Sequence, residues 1–385
     1  MVTERDSSAR ILHLITSLRT GGAETALYRL LSRLDSELFD SVVISLSAGE
    51  TTIGERIEAL GVPVYSLGMQ PGRPTPAGAW RLIRRVYQLR PNLIHGWMYD
   101  ANLAAILASA SLLKQVPVVW GIRQSLDLKA EPKWRSRVAI RVGARLSAWP
   151  QQIVYVSRAS ADQHEAIGYR ADRRSVIPNG FDGEQFRPDT GARASVRAEL
   201  GLGEGTPLIG LIARYHPMKD HANFLAAARL VLKQEPTVRF LLAGPCVEVS
   251  NKELSTLVST LGLQERIHLL GERRDIPRLT AALDIACSSS AWGEGFPNVI
   301  GEAMACGVPC VVTDVGDSAW VVGETGQVVP SRDPMALSAA WREVLQMEQG
   351  VRAVLGEQAR ARIMMNFSLD EATRQYEELY TEVIN

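Results

Sequence analysis

This 385-residue sequence predicts an α/β fold of two parallel-sheet units, on three observations. Short runs of aliphatic and β-branched residues alternate with segments whose apolar residues recur at helical spacing, the pattern of a parallel sheet covered by helices on both faces. The alternation restarts at Pro207 after a polar, glycine-containing stretch, so the pattern occurs twice. The length, with 46% hydrophobic residues, exceeds what one ordinary core needs and suits two.

In the first half, residues 10–16 read as a buried strand, Thr20-Gly21-Gly22-Ala23-Glu24 as a glycine loop, and Leu27, Leu30, Leu31 and Leu34 as one face of a helix. Residues 41–46 and 62–66 are β-rich runs flanking a helix-like 53–60, and 69–78 is a loop rich in Pro and Gly. A helix over 82–89 and a strand over 92–97 follow, and Asp100 is placed to cap a helix of small residues through 113. Strands are expected over 116–122, 152–157 and 175–178. Between them, residues 126–145 set Lys129, Lys133, Arg135, Arg137, Arg141 and Arg145 against only Asp127 and Glu131. That run is either a solvated helix face or a contact with anionic lipid or a phosphate-bearing acceptor.

Residues 183–206 are polar and charged, with a short helical piece at 194–200, and carry the expected domain boundary. Beyond them come a strand at 207–213, a loop holding Arg214 and Lys219, and a helix at 224–232. Further strands are expected over 239–243, 267–270, 284–287, 309–312 and 327–329. At the end, Ser368-Leu369-Asp370-Glu371 has the form of a capping box, and Tyr376, Leu379, Tyr380 and Val383 share a helical face that must be buried.

Bulk properties exclude little but bound the rest. Forty-two basic and forty-two acidic residues cancel, leaving no whole-chain electrostatic case for nucleic acid. The first ten residues lack an apolar core and no stretch approaches the ~18 apolar residues of a membrane span, so a cytoplasmic, unprocessed protein is expected. Cys246, Cys287, Cys306 and Cys310 show no CxxC pairing and read as buried small apolar residues.

The densest chemical signal is 294–307, EGFPNVIGEAMACG. Gly293 to Gly295 let the backbone turn, Pro297 suits a first helical position, and Gly307 suits the residue past a helix end. A short helix should therefore start near Pro297, with Glu294 in the loop before it and Glu302 about two turns in. Its unpaired N–H groups around Asn298 and Val299 suit an anion, and the carboxylates suit vicinal hydroxyls; a solvated loop and a surface helix are the plain alternative. Arg214 and Lys219 follow a strand at its carboxyl end, where ligands of open α/β sheets bind. An arginine fork and a lysine point charge there suit a diphosphate.

Taken together, GGAE (21–24), IPNGFD (177–182), ARYHPMKDH (213–221), LLAGP (241–245), EGFPNVIGEAMACGVPCVVTDVGD (294–317) and ETGQVV (324–329) resemble the retaining glycosyltransferases of family 4, in order and over nearly the whole chain. The resemblance implies the GT-B fold, two Rossmann-like domains with a donor cleft between them. Residues 1–185, completed by a helix over 369–385 that crosses back, would bind the acceptor, and 186–368 the nucleotide sugar. Arg214 and Lys219 would bind the donor diphosphate, Glu302 the ribose hydroxyls, and Glu294 with the backbone of Phe296, Pro297, Asn298 and Val299 the transferred sugar. Gly22 would approach the diphosphate. By the same resemblance no catalytic metal or other cofactor is expected, and the partners are a nucleoside diphosphate sugar and a glycan acceptor; the basic segment 129–145 points to a glycolipid or lipid-linked acceptor at the cytoplasmic face, with peripheral contact to an anionic membrane.

The sequence departs from the family where many members carry a histidine beside the sugar: after 116–122, WGIRQS puts Arg123 there. His95, ending the neighbouring strand, is the alternative on the acceptor or sugar side, and His216 lies inside the Arg214 to Lys219 loop. The expected reaction is transfer of a sugar to an acceptor hydroxyl with retention, in cell-surface polysaccharide or glycolipid synthesis. A nucleotide-sugar 2-epimerase of similar fold, or a non-catalytic sugar-nucleotide-binding protein, are the competing readings.

Overall fold

In the computed structural model, which describes residues 8–19, 21–48, 52–70, 75–126 and 134–385, the chain forms two compact units: Met1–Gly180 with Leu369–Asn385, and Phe181–Ser368. Among the described residues the first unit has seven parallel strands: β1 (Ala9–Ile15), β2 (Phe39–Ser47), β3 (Val64–Met69), β4 (Leu93–Trp97), β5 (Val118–Ile122), β6 (Gln152–Tyr155) and β7 (Arg174–Val176). Their order is β3-β2-β1-β4-β5-β6-β7. β4 and β5 are buried at every position, which is why neither shows apolar–polar alternation, although β4 includes His95.

The second unit repeats the plan with β8 (Leu208–Ile212), β9 (Arg239–Ala243), β10 (Ile267–Leu269), β11 (Ile285–Ser288), β12 (Cys310–Thr313) and β13 (Gly326–Val329), ordered β10-β9-β8-β11-β12-β13. All its pairings are parallel. The strand order reverses between β8 and β11, and the crevice outside the carboxyl ends of such a pair is where open α/β sheets bind ligands.

The division falls at 180/181 rather than at the expected 185/186. Phe181 explains the shift: its ring stacks on Phe296 with centroids 5.9 Å apart, and its N–H donates to the Phe367 carbonyl at 2.9 Å. The last helix, Leu369–Ile384, buries the expected stripe, Tyr376, Leu379 and Tyr380, in the core of the first unit with Ile11, Phe39 and Trp97.

Helices at Arg158–Ala166, Lys252–Thr260, Pro334–Gln346 and Gln349–Asn366 were not expected from periodicity. The first is nearly all polar and is started instead by Ser157, whose Oγ accepts the Ser160 N–H at 3.0 Å. Asp100 lies in the first turn of the helix Tyr99–Ala110 and is not its cap; that position falls to Met98, at φ 71°. Cys287, Cys306 and Cys310 are buried as expected, but Cys246 is exposed. The basic run forms the helix Trp134–Leu146, which buries Ala139, Ile140 and Gly143 and leaves Trp134, Val138, Arg141 and Arg145 exposed; Lys129 and Lys133 lie outside the described residues.

Candidate functional site

At the carboxyl end of β8 the chain runs against the loop after β9. The Ala213 N–H donates to Ala243 O and the Tyr215 N–H to Pro245 O, each at 2.9 Å. Gly244 makes this possible: it sits at φ 147°, and a Cβ there would lie 2.4 Å from the Ala213 carbonyl oxygen. Arg214, between the two bonds, is exposed. A 3₁₀ turn at Pro217–Lys219 follows, opened by His216, whose Nδ1 accepts the Met218 N–H at 3.2 Å. The helix His221–Val231 then starts at Asp220, whose carboxylate accepts the Asn223 N–H at 3.1 Å.

That turn delivers Lys219 to β11. Its Nζ donates to Glu294 Oε2 at 2.6 Å, and the Ser290 hydroxyl donates to the same oxygen at 2.7 Å. The Lys219 and Glu294 side chains are only 18% and 10% exposed, so this is a largely desolvated ion pair. The Lys219 turn is held against the segment after β11: Ser289 Oγ donates to Lys219 O at 2.8 Å, and the Ala291 N–H to Met218 O at 2.8 Å. Thr313 at the end of β12 donates to Ser290 O at 2.6 Å. On the other side Gly316, at φ 60°, comes so close that a Cβ would lie 2.0 Å from Glu294 O, and the Asp317 N–H donates to Gly295 O at 3.1 Å.

The helix after Glu294 spans Asn298–Ala305, with Pro297 preceding it, one position from the expected start. Phe296 uses its ring in the core, against Phe181, Trp320 and Phe367, which leaves its main chain for a ligand. Asn298 and Val299, in the first turn, and Glu302, farther along, are half-buried. Lys219, Glu294 and the start of this helix thus lie beside the β8/β11 reversal. Arg214 is on the same loop as Lys219.

The first unit treats its expected residues differently. Gly22 opens the helix Gly22–Leu31, and the space where a Cβ would project is open to 4 Å. His95, expected on the acceptor or sugar side, is instead fully buried: Nδ1 is 2.7 Å from Tyr380 Oη, its ring is 4.6 Å from Trp97, and Nε2 faces Gly121. Burial holds its pKa well below the usual histidine value. It is a core residue, not a ligand group. Arg123 donates to Ile177 O at 3.2 Å, to Tyr376 Oη at 3.0 Å and to Asn179 Oδ1, tying β5 to the loop after β7 and to the last helix. Its guanidinium is thus engaged by groups of its own unit.

Ser289 and Ser290 were missed because the run Cys287 to Ser290 reads as the plain end of a strand. Three hydroxyls in a row at a strand's carboxyl end were the signal.

Two family models match the chain: "Glycosyltransferase Family 4" over residues 20–185 and "Glycosyl transferases group 1" over residues 206–347. EpsF of Bacillus subtilis is 25% identical over 317 residues, 80% of this chain and 80% of its own. The lipopolysaccharide core biosynthesis mannosyltransferase LpsB of Rhizobium meliloti is 25% identical over 353 residues, 89% of this chain and 93% of its own. HepE of Anabaena, solved with UDP, superposes with a TM-score of 0.83 at 24% identity over 97% of this chain and 100% of that one. Its structure with UDP-glucose gives 0.80 at 25% identity, over 97% and 99%.

Proposed function

Since the chain belongs to the family 4-type glycosyltransferases of GT-B fold, we propose that it moves a sugar from a nucleoside diphosphate sugar to a glycan or lipid-linked acceptor hydroxyl, with retention at the anomeric carbon. The observation that carries this reading is the Lys219–Glu294 pair beside the β8/β11 reversal, with a helix N-terminus next in sequence. Lys219 and Arg214 take the diphosphate, the helix N–H groups add positive potential, and Glu302 accepts from the ribose hydroxyls. Glu294 and the main chain of 296–299 hold the transferred sugar.

As the bond from the anomeric carbon to phosphate oxygen breaks, negative charge grows on the diphosphate and positive charge on the sugar ring. Lys219 and Arg214 stabilise the first by preorganised electrostatics, so the chemistry asks for no metal. The acceptor hydroxyl attacks from the face the diphosphate leaves, and its proton passes to a leaving phosphate oxygen. Neither glutamate acts as nucleophile.

Relatives named for lipopolysaccharide core mannosyl transfer and for transfer to a diphosphoundecaprenol-linked sugar support a role in polysaccharide or glycolipid synthesis. The exposed Trp134, Val138, Arg141 and Arg145 suit an acceptor presented at an anionic membrane surface. Among the described residues no helix is long and apolar enough to cross a membrane.

The test is calorimetric titration with UDP and UDP-glucose, then NMR of the product's anomeric configuration once a donor is found. Epimerised donor in place of a new glycoside, or an inverted linkage, would overturn the proposal. Vesicle flotation with and without anionic lipid tests the membrane element, and binding that ignores salt removes its basis.

A further inference from the structure

The two loops that carry Lys219 and Glu294 also wall a second space in the Phe181–Ser368 unit. It is an open cleft of about 530 Å³ lined by Tyr215, His216, Asn223, Glu253, Trp292 and Arg332, among others. None of these belongs to the proposed donor set. Trp292 lies two residues before Glu294, and His216 opens the turn that ends in Lys219.

Its chemistry is unlike that of a phosphate site. The lining side chains include two carboxylates, Asp220 and Glu253, against one guanidinium, Arg332. That cation is stacked over the Trp292 ring at 5.3 Å, and the carboxylate of Asp220 caps the start of the helix His221–Val231. An anion would meet more negative charge than positive. Tyr215 and Trp292 offer aromatic surface, and Asn223, 6% exposed, has an amide whose oxygen and nitrogen lack hydrogen-bond partners among the described residues. Glu253 is exposed at the rim, on the helix Lys252–Thr260. Flat aromatic surface with a few hydroxyl-seeking polar groups suits a neutral polyol that has one apolar face.

We infer that this cleft is a saccharide-binding site for a neutral sugar or short oligosaccharide, separate from the nucleotide-sugar site. Its occupant would be a part of the glycan other than the transferred sugar. The inference does not need the donor assignment to be right, because it uses different side chains and a different ligand.

The test is saturation-transfer NMR and calorimetry on the full chain with neutral hexoses and short neutral oligosaccharides, alone and with saturating UDP. Wild type should bind at least one sugar, and UDP should not displace it. Glu253→Ala and Arg332→Gly, the second keeping the positive φ of 60° at that position, should each weaken the sugar at least tenfold while leaving the UDP affinity within twofold. Displacement of the sugar by UDP would place it in the donor site and overturn the inference. So would displacement by inorganic phosphate, unchanged sugar binding in both variants, or no binding by the wild type across the panel. Failure of UDP to bind, with sugar binding intact and sensitive to both variants, would count against the donor assignment alone.

Discussion

Exchanging Glu294 for Gln tests whether Lys219 is handed from a carboxylate to a diphosphate. The ammonium is held at 2.6 Å by a carboxylate that is itself 10% exposed, so solvent screens the pair only in part. A charge-assisted hydrogen bond of this kind is worth about 1.5–3 kcal/mol net. Gln keeps the shape and one acceptor, so the bond is weakened rather than lost, and about 1–2 kcal/mol less opposes the transfer of Lys219 to phosphate. That corresponds to UDP binding about five- to thirtyfold tighter in the variant. UDP-glucose should gain less, since it also loses the carboxylate that holds its sugar. Titration calorimetry with both ligands reads the two constants, and a thermal melt checks that the variant is folded. A folded Glu294→Gln protein whose UDP affinity is unchanged or weaker would show that Lys219 never leaves Glu294, and the proposed role of Lys219 would fail.

Gly316→Ala must place a methyl 2.0 Å from Glu294 O at φ 60°; it should cost more than the roughly 1–2 kcal/mol of left-handed backbone strain and lower donor affinity, read by melting temperature and titration. Asp284→Ala leaves Arg197, 3% exposed and bound to Asp284 Oδ2 at 2.5 Å, as a buried unpaired charge, and should cost about 3–5 kcal/mol in urea unfolding. Burial holds His13 down to about 3, His164 to about 4, and His95 well below 6.5, so the folded first unit binds fewer protons than the unfolded chain. Stability is therefore full above pH 6.5 and falls as pH drops from there toward 4 and 3, by up to about 1.4 kcal/mol per pH unit for each histidine. Urea midpoints that stay flat between pH 7 and pH 5 would refute that reading.

The segment around Glu294 was legible because its punctuation is local: glycines for the turn, a proline before the helix, Gly307 after it. Arg214 and Lys219 were legible as cations at a strand end. That Lys219 and Glu294 touch was not, since they are 75 residues apart and meet only because β11 inserts beside β8 rather than beside β10. His95 was misjudged for a related reason. Its surroundings are decided by Tyr380, 285 positions later, and nothing near His95 in the chain announces that the last helix will cover it. The helix Arg158–Ala166 escaped because a serine cap and a polar surface leave no apolar period to detect.

The order of synthesis gives the last helix a further meaning. Ser157 can start its helix and β1 can pair with β4 early in synthesis, but His95, Arg123 and Phe39 wait for Tyr376 and Tyr380, which are made only after the whole Phe181–Ser368 unit. The unit begun first is thus completed after the Phe181–Ser368 unit has been made, and until then it carries an open apolar face. A premature stop near 369 would spoil the beginning of the protein more than its end. A permuted chain that starts with residues 369–385 and continues into residue 8 would remove the wait, and should give more folded protein in cells short of chaperones.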